Sequence, residues 1–310
     1  MVFWEFLLNL IVVGQLAVMP TAWVSTVDYQ SDINKASYNI TIGENEAWPQ
    51  KIVNDSLGVH ITAKAAIAVD WETGAVLWQK NVDHQQSIAS LTKLMTVLVW
   101  LDFNPGWDKE VTIKESDYRV GGRFYLFKGE KVLTRDLLKS VLIASDNNAA
   151  IALAGSTGME LDEFVGKMNE KAIELGMIDS IFTDPSGLQS GNKSTVKDLV
   201  ILAREVLADD RVMTIAGLKE TGYEIINNNR YNRVESTNSL LGTYLNVIAG
   251  KTGFSDEAGG CLLTLVKGDS GQKVLTIILG SADQYVRFQE GKSLIQWVLD
   301  NFIWPTVSNN

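Results

Sequence analysis

Across 310 residues the chain has one cysteine, Cys261. No internal disulfide can form, and no cysteine-based metal site can be assembled. Cys261 lies in an apolar stretch and reads as a buried structural thiol. Histidine is nearly as scarce. His60 and His84 are the only two, too few for a multi-histidine metal centre. Basic residues are the minority: 27 Lys and Arg face 37 Asp and Glu, a net charge of −10. That balance argues against nucleic acid or an anionic membrane surface as the main partner. The segment G-x-S-x-G is absent, which excludes the strand-to-helix elbow of the α/β hydrolases. Internal repeats and low-complexity tracts are absent too.

What is present suits a sizeable core. The chain is 46% hydrophobic and 21% charged, enough for one large globular domain or two intimate ones. Met1 to Val24 carries one charge, Glu5, and no Lys or Arg precedes Lys35. This segment fits a secretory signal or a retained membrane anchor, and either puts the remainder outside the cytoplasm. The expected division is a signal or anchor over 1–27, a polar linker over 28–57, a catalytic domain over 58–303 and a tail over 304–310.

Within that domain, Ala65 to Val69 and Val76 to Trp78 read as strands around the turn Asp70-Trp71-Glu72-Thr73-Gly74. Apolar residues at helical spacing from Ile88 to Leu101 predict a buried helix starting near Ser90. From about 104 to 230 the pattern is mostly helical: Arg135 to Ile143, Asn148 to Ala154, Leu161 to Leu175 before Gly176, and Val196 to Ala208. Cys261 to Val266 and Val274 to Leu279 read as strands of a hairpin. Val286 to Phe302 reads as a closing amphipathic helix.

Three short segments carry chemistry. In Ser90-Leu91-Thr92-Lys93, serine and lysine stand three apart, so a helix would present both on one face. Serine is a weak nucleophile without a base. A lysine serves only if its pKa falls, through burial or nearby positive charge such as Lys251. Ser145-Asp146-Asn147 follows between two helical stretches; a hydroxyl there suits proton delivery to a leaving amine, and an amide suits orienting the lysine. Lys251-Thr252-Gly253 is third. Lysine and threonine suit a carboxylate, and glycine lets an extended substrate lie against the strand. Singly, each is equally a helix N-cap or a surface turn. In this order they form the signature of serine β-lactamases and penicillin-binding proteins.

Two decoys fall away. Gly250-Lys251-Thr252 lacks the glycine of a phosphate-binding loop, since Leu245 stands five residues before Gly250. Gly268-Asp269-Ser270-Gly271 lies between two apolar strands and reads as a hairpin turn.

Ile88 to Thr96 closely resembles the nucleophile segment of low-molecular-weight penicillin-binding proteins, the D-alanyl-D-alanine carboxypeptidases. Lys251 to Gly260 resembles their third motif. Asp184-Pro185-Ser186-Gly187-Leu188 and Gly121-Gly122-Arg123-Phe124 resemble further landmarks. The resemblance implies an α/β three-layer sandwich (α+β): a five-stranded antiparallel sheet flanked by helices, with an inserted all-helical subdomain. It implies Ser90 as nucleophile, Lys93 as base, Ser145 and Lys251 in protonation of the leaving group, and Asn147 beside them. Thr252 and Gly253 would hold the substrate, and the backbone N–H groups of Ser90 and Phe254 would form an oxyanion hole. The implied substrates are peptidoglycan stem peptides ending in D-Ala-D-Ala, with β-lactams as covalent inhibitors and no cofactor. A D,D-endopeptidase is the alternative. A class A-like β-lactamase is disfavoured because no E-x-x-L-N segment separates the second and third motifs; an inactive muropeptide-binding relative is the remaining rival. Thr237-Asn238 stands where many members carry Arg-Asn, which puts carboxylate recognition in question.

Overall fold

A computed structural model describes residues 48–56, 58–121 and 125–305. The expected leader or anchor, most of the linker, and Gly122-Arg123-Phe124 lie outside these residues. No helix among the described residues is long and apolar enough to cross a membrane.

The central sheet has five antiparallel strands: β1 (Ala65–Asp70), β2 (Val76–Lys80), β3 (Val247–Ser255), β4 (Gly259–Lys267) and β5 (Lys273–Ser281). Their spatial order is β3-β4-β5-β1-β2. The strands with continuous apolar runs lie in the middle, because both faces of the sheet are covered. On one face Ala66, Ala68, Leu262 and Ile278 meet Leu294, Ile295 and Val298 of the closing helix. On the other, Ala65, Ile67, Val69, Leu263 and Ile277 meet the helical layer. This is the three-layer arrangement the resemblance implied. Cys261 is fully buried on the second face, and burial pushes its thiol up to about 11.

The helices are α1 (Thr92–Asp102), α2 (Thr134–Leu142), α3 (Asn147–Ser156), α4 (Leu161–Glu174), α5 (Val196–Val206), α6 (Asp210–Ala216) and α7 (Val286–Asn301). Five expected helices recur within two residues of their predicted ends, and the end of α4 at Gly176 (φ +74°) fits the left-handed stop that glycine supplies. Three features depart from expectation. The inserted subdomain is not all helical, since Glu110–Thr112 pairs with Lys131–Leu133, and Glu220–Glu224 with Tyr231–Glu235, as antiparallel ribbons. Alternating Thr221, Tyr223 and Val234 is a strand period that composition around it obscured. The helix α6 was also unforeseen.

Helix α1 itself does not begin at Ser90. Ser90 lies in a 3-10 turn, Ala89–Leu91, with Ala89 in the left-handed region (φ +45°). The i to i+3 spacing still brings Ser90 and Lys93 together, because the 3-10 turn runs directly into α1. The turn packs on β3, and Gly253 permits that approach: a Cβ there would stand 2.9 Å from Ile88 O and 3.1 Å from Ser90 N.

One buried carboxylate ties α7 to the rest. Glu290 accepts hydrogen bonds from Thr62 Oγ1 (2.8 Å), Ala63 N (2.9 Å) and Ser281 Oγ. Its removal leaves buried donors unpaired, so Glu290→Ala is expected to cost about 2–4 kcal/mol. Glu170, in an exposed pair with Lys167, should cost under about 0.5 kcal/mol when replaced by alanine. Paired thermal melts check the contrast; equal melting points for the two variants would contradict it.

Candidate active site

The three motifs converge on one cleft of about 510 Å³. Ser90, half-buried, stands at its floor. Lys93 is fully buried beneath. Its Nζ lies 2.9 Å from Ser90 Oγ, 2.6 Å from Asn147 Oδ1 and 2.5 Å from Ser186 O. Amide and backbone carbonyl oxygens only accept hydrogen bonds. Two of the amine's contacts therefore consume its N–H groups. A neutral amine has two such groups and one lone pair, so its lone pair is left for the Ser90 hydroxyl.

Burial lowers the Lys93 pKa to about 7, the acidic neighbours Asp146 and Asp184 pulling the other way. The sequence pointed to the Lys251 charge as one agent of this shift. The principal cause is desolvation, the other agent the sequence pointed to; the repulsion between the two lysines is felt at Lys251, which burial, Lys93 and Arg287 together hold well below the ordinary lysine value. Lys251 Nζ donates to Ser145 Oγ (2.6 Å) and to Thr252 O (2.9 Å). Ser145 thus bridges the third motif and the cleft.

Local structure explains these positions. Ser145 has φ +59°, a left-handed backbone that costs a non-glycine residue about 1–2 kcal/mol. Asp146 offsets this by capping α3, its Oδ1 accepting from Asn148 N (2.8 Å) and Ala149 N (3.1 Å). Asn147 then faces inward on the first turn of α3, and its Nδ2 donates to Gly121 O (3.0 Å). Burial raises the Asp146 pKa.

The Asp184–Asn192 loop supplies the third grip on Lys93. Asp184 accepts from Ser186 N, Gly187 N, Gln189 N and Asn192 Nδ2 at 2.6–2.8 Å. Burial raises its pKa, but the hydrogen bond from Ser186 Oγ together with those four holds the carboxyl below the ordinary value. Pro185 O accepts from Thr96 Oγ1 at 2.6 Å, and a Cβ on Gly187 would stand 2.1 Å from Ala89 O. The landmark at 184–188 therefore fixes the serine turn and the lysine together.

Thr252, Gly253 and Phe254 line the cleft along β3. Thr252 Oγ1 shares a 2.5 Å hydrogen bond with Thr237 Oγ1. Of the pair Thr237-Asn238, only Thr237 lines the cleft. Asn238 is buried, and its Nδ2 lies 2.6 Å from where a Cβ on Gly250 would be. Sequence reasoning missed Arg287. From the first turn of α7 it reaches under β3, donates to Gly253 O, and lines the cleft. Its position on an amphipathic helix gave no sign of this, because an arginine there reads as solvated. No acidic side chain is among the described residues lining the cleft, in a chain of net charge −10. Among the described residues no group of three or more His, Cys, Asp or Glu could hold a metal ion.

Comparisons with known proteins identify a family. The profile of the D-alanyl-D-alanine carboxypeptidase family matches residues 50–283. D-alanyl-D-alanine carboxypeptidase DacF of Bacillus subtilis is 30% identical over 246 residues, covering 77% of this chain and 63% of that protein. The chain thus spans less than two thirds of that relative's length. A D-alanyl-D-alanine endopeptidase of Haemophilus influenzae is 35% identical over 200 residues, covering 64% of this chain and 68% of the relative. The crystal structure of the Streptomyces K15 DD-transpeptidase superposes with a TM-score of 0.74 at 29% identity, covering 79% of this chain and 100% of that one.

A base must be neutral to accept a proton, so the reactivity of Ser90 follows deprotonation of Lys93. With its pKa lowered to about 7, the rate of Ser90 modification by a phosphonate probe should rise about tenfold per pH unit below that value and level off above it. Lys93→Met should remove the dependence and nearly all the rate. A profile that keeps climbing to pH 10 would show an ordinary lysine.

Proposed function

The chain belongs to the D-alanyl-D-alanine carboxypeptidase family, and from that premise we propose that it is a serine-type D-alanyl-D-alanine carboxypeptidase acting on peptidoglycan stem peptides. The contact that carries the reading is the 2.9 Å approach of Lys93 Nζ to Ser90 Oγ, with the amine's remaining donors spent on Asn147 and Ser186.

The reaction starts with Ser90 Oγ attacking the carbonyl carbon of the penultimate D-alanine while its proton passes to Lys93. The carbonyl oxygen becomes an oxyanion, held by the backbone N–H groups of Ser90 and Phe254. Cleavage of the C–N bond needs a proton on the departing nitrogen. Ser145 delivers it, replenished through Lys251 at 2.6 Å. The product of this half is an ester on Ser90 and free D-alanine. Ser145 and Lys251 recover the proton that Lys93 took from Ser90, which leaves Lys93 neutral; water then attacks the ester carbon and gives its proton to Lys93, which passes it to the departing Ser90 Oγ and restores the hydroxyl. β-Lactams enter by the same acylation, and no acidic side chain among the described cleft residues adds a second base for their hydrolysis.

Substrate recognition follows from charge. A terminal carboxylate finds the Thr252 and Thr237 hydroxyls and the Arg287 guanidinium on one side of the cleft. Arg287 supplies the cation that the Thr237-Asn238 pair lacks. The same side carries the short side chains Ser236, Thr237 and Ser239, which leave space for a leaving residue larger than alanine. That observation favours a second activity, D,D-endopeptidase cleavage of cross-links. The catalytic unit is taken as 58–303, working outside the cytoplasm, with residues 1–27 as its signal or anchor.

Mass spectrometry after penicillin exposure should place a single adduct on Ser90, and Lys93→Ala should show none. An adduct elsewhere would remove the assignment. Arg287→Ala should reduce kcat/KM on a D-Ala-D-Ala peptide about 100-fold, the loss of a charge-assisted hydrogen bond, chiefly through KM. An unchanged KM would remove Arg287 from carboxylate binding.

A further inference from the structure

The ribbon Glu220–Glu224/Tyr231–Glu235 reaches the Ser145-Asp146-Asn147 turn by three routes. The first starts at Arg230, one residue before the second strand. Its Nε and Nη2 fork onto Glu130 at 2.8 and 2.7 Å, and Nη2 also donates to Tyr125 O at 3.0 Å. Tyr125 N donates in turn to Asp146 Oδ2 at 3.3 Å. Tyr125 thus spends both of its backbone groups on this link. The second route runs through side chains. Arg230 Nη1 donates to Asn232 Oδ1 (3.3 Å), Asn232 Nδ2 donates to Tyr223 Oη (2.8 Å), and Tyr223 Oη shares a 2.6 Å hydrogen bond with Ser140 Oγ. Ser140 O accepts from Asp146 N at 3.1 Å. The third route is the chain itself: just past the ribbon, Thr237 N donates to Ile143 O at 3.2 Å.

These contacts answer a local need. Ser145 holds a left-handed backbone, and a non-glycine residue keeps such a conformation only where its surroundings over-determine it. Asp146 Oδ1 binds the first N–H groups of α3, which begins at the next residue and moves with the turn. Asp146 Oδ2 and Asp146 N tie it instead to Tyr125 and Ser140, and both lead to the ribbon. The Glu130 carboxylate at the root of the first route is buried and accepts also from Phe127 N (2.8 Å) and Asn228 Nδ2 (3.1 Å). An ion pair with a buried partner is weak evidence for stability, because desolvation offsets the attraction; fixing one arrangement among several is its better-attested use.

We propose that Arg230, acting through Glu130 and Tyr125, is a positioning residue that holds Ser145 and Asn147 in register with Lys93. The proposal rests on the peptidase reading for its substrate, but the register itself can be read from Ser90 alone. Lys93 is faced by Asp146 at the cap of α3, by Asp184 from its loop and by Lys251 from β3. Tyr223, close to Asp146, stays a neutral phenol because burial pushes its pKa up. Release of Tyr125 takes a hydrogen bond from the Asp146 carboxylate and admits water beside the lysine. Both changes favour the charged amine, so the Lys93 pKa rises. A base must be neutral, so Ser90 then becomes reactive only at higher pH.

Two variants separate positioning from folding. Arg230→Gln leaves Glu130 a buried charge without its partner. The double variant Glu130→Gln with Arg230→Met removes both charges and keeps an acceptor for Phe127 N, so it should melt within about 5 °C of the unmodified protein. In both, the pH midpoint for modification of Ser90 by a phosphonate probe should move up from about 7 by roughly half a unit or more. On a soluble acyl-D-Ala-D-Ala peptide, kcat should fall about tenfold while KM stays within about twofold, the pattern of a lost transition-state contact. The proposal is overturned if the folded double variant keeps its midpoint and kcat, or if only KM changes. It falls equally if neither variant melts cooperatively, since the pair is then a folding element. Should the unmodified protein turn over no D-Ala-D-Ala peptide, the peptidase reading falls, and the probe midpoint alone decides the role of Arg230.

Discussion

The site depends on how one buried amine is surrounded. Lys93 has carbonyl oxygens at 2.6 and 2.5 Å and a serine hydroxyl at 2.9 Å. In its neutral form this arrangement directs the lone pair at the hydroxyl. Lowering a lysine from 10.5 to about 7 amounts to roughly 5 kcal/mol of preference against the charged form. Two buried aspartates oppose that shift and are overcome, so desolvation is the larger effect. Burial of Lys93 by packing is thus part of the chemistry.

That arrangement has a thermodynamic consequence. The folded pKa lies below the unfolded one, so between about pH 7 and 10.5 the unfolded chain binds more protons at this residue. Stability therefore rises with pH across that window, and below it the penalty is complete. Lys251, also buried and lowered, adds in the same direction. The left-handed backbones of Ala89 and Ser145 add strain at the same place. The surrounding network offsets these costs: the Asp146 cap, the Asp184 loop with its four neutral N–H donors, and the glycines at 187 and 253 that let three segments touch.

Much of this was legible in the sequence, for identifiable reasons. Strands with unbroken apolar runs, such as Cys261 to Val266, announce a sheet covered on both faces. Helices α2, α3, α4 and α5 announce themselves by periodicity. The three motifs point to one another only through chemistry: a serine needs a base, and a base needs burial. What remained hidden were contacts made by groups without a distinctive side chain. The Ser186 carbonyl is backbone, and any residue carries one. Arg287 resembles any helix-surface arginine until the sheet is placed beneath it. The 3-10 turn at Ser90 was missed because its apolar spacing merges with that of α1. The ribbon Glu220–Glu224/Tyr231–Glu235 was missed because its strands are short and rich in charged residues. Burial was named from the sequence as one cause of a lowered Lys93 pKa, but its weight over the Lys251 charge stayed open, because the degree of burial is a property of the fold and not of the segment.

The central claim is that Lys93 loses its proton near pH 7 in the resting protein, so that a large share of it is neutral there. NMR titration of the protein with 13C-labelled lysine, the Lys93 signal identified through Lys93→Arg, reads this directly. The account predicts that the Lys93 Cε resonance titrates near pH 7, separate from the surface lysines. Titration of that resonance above pH 10 with the rest would contradict it.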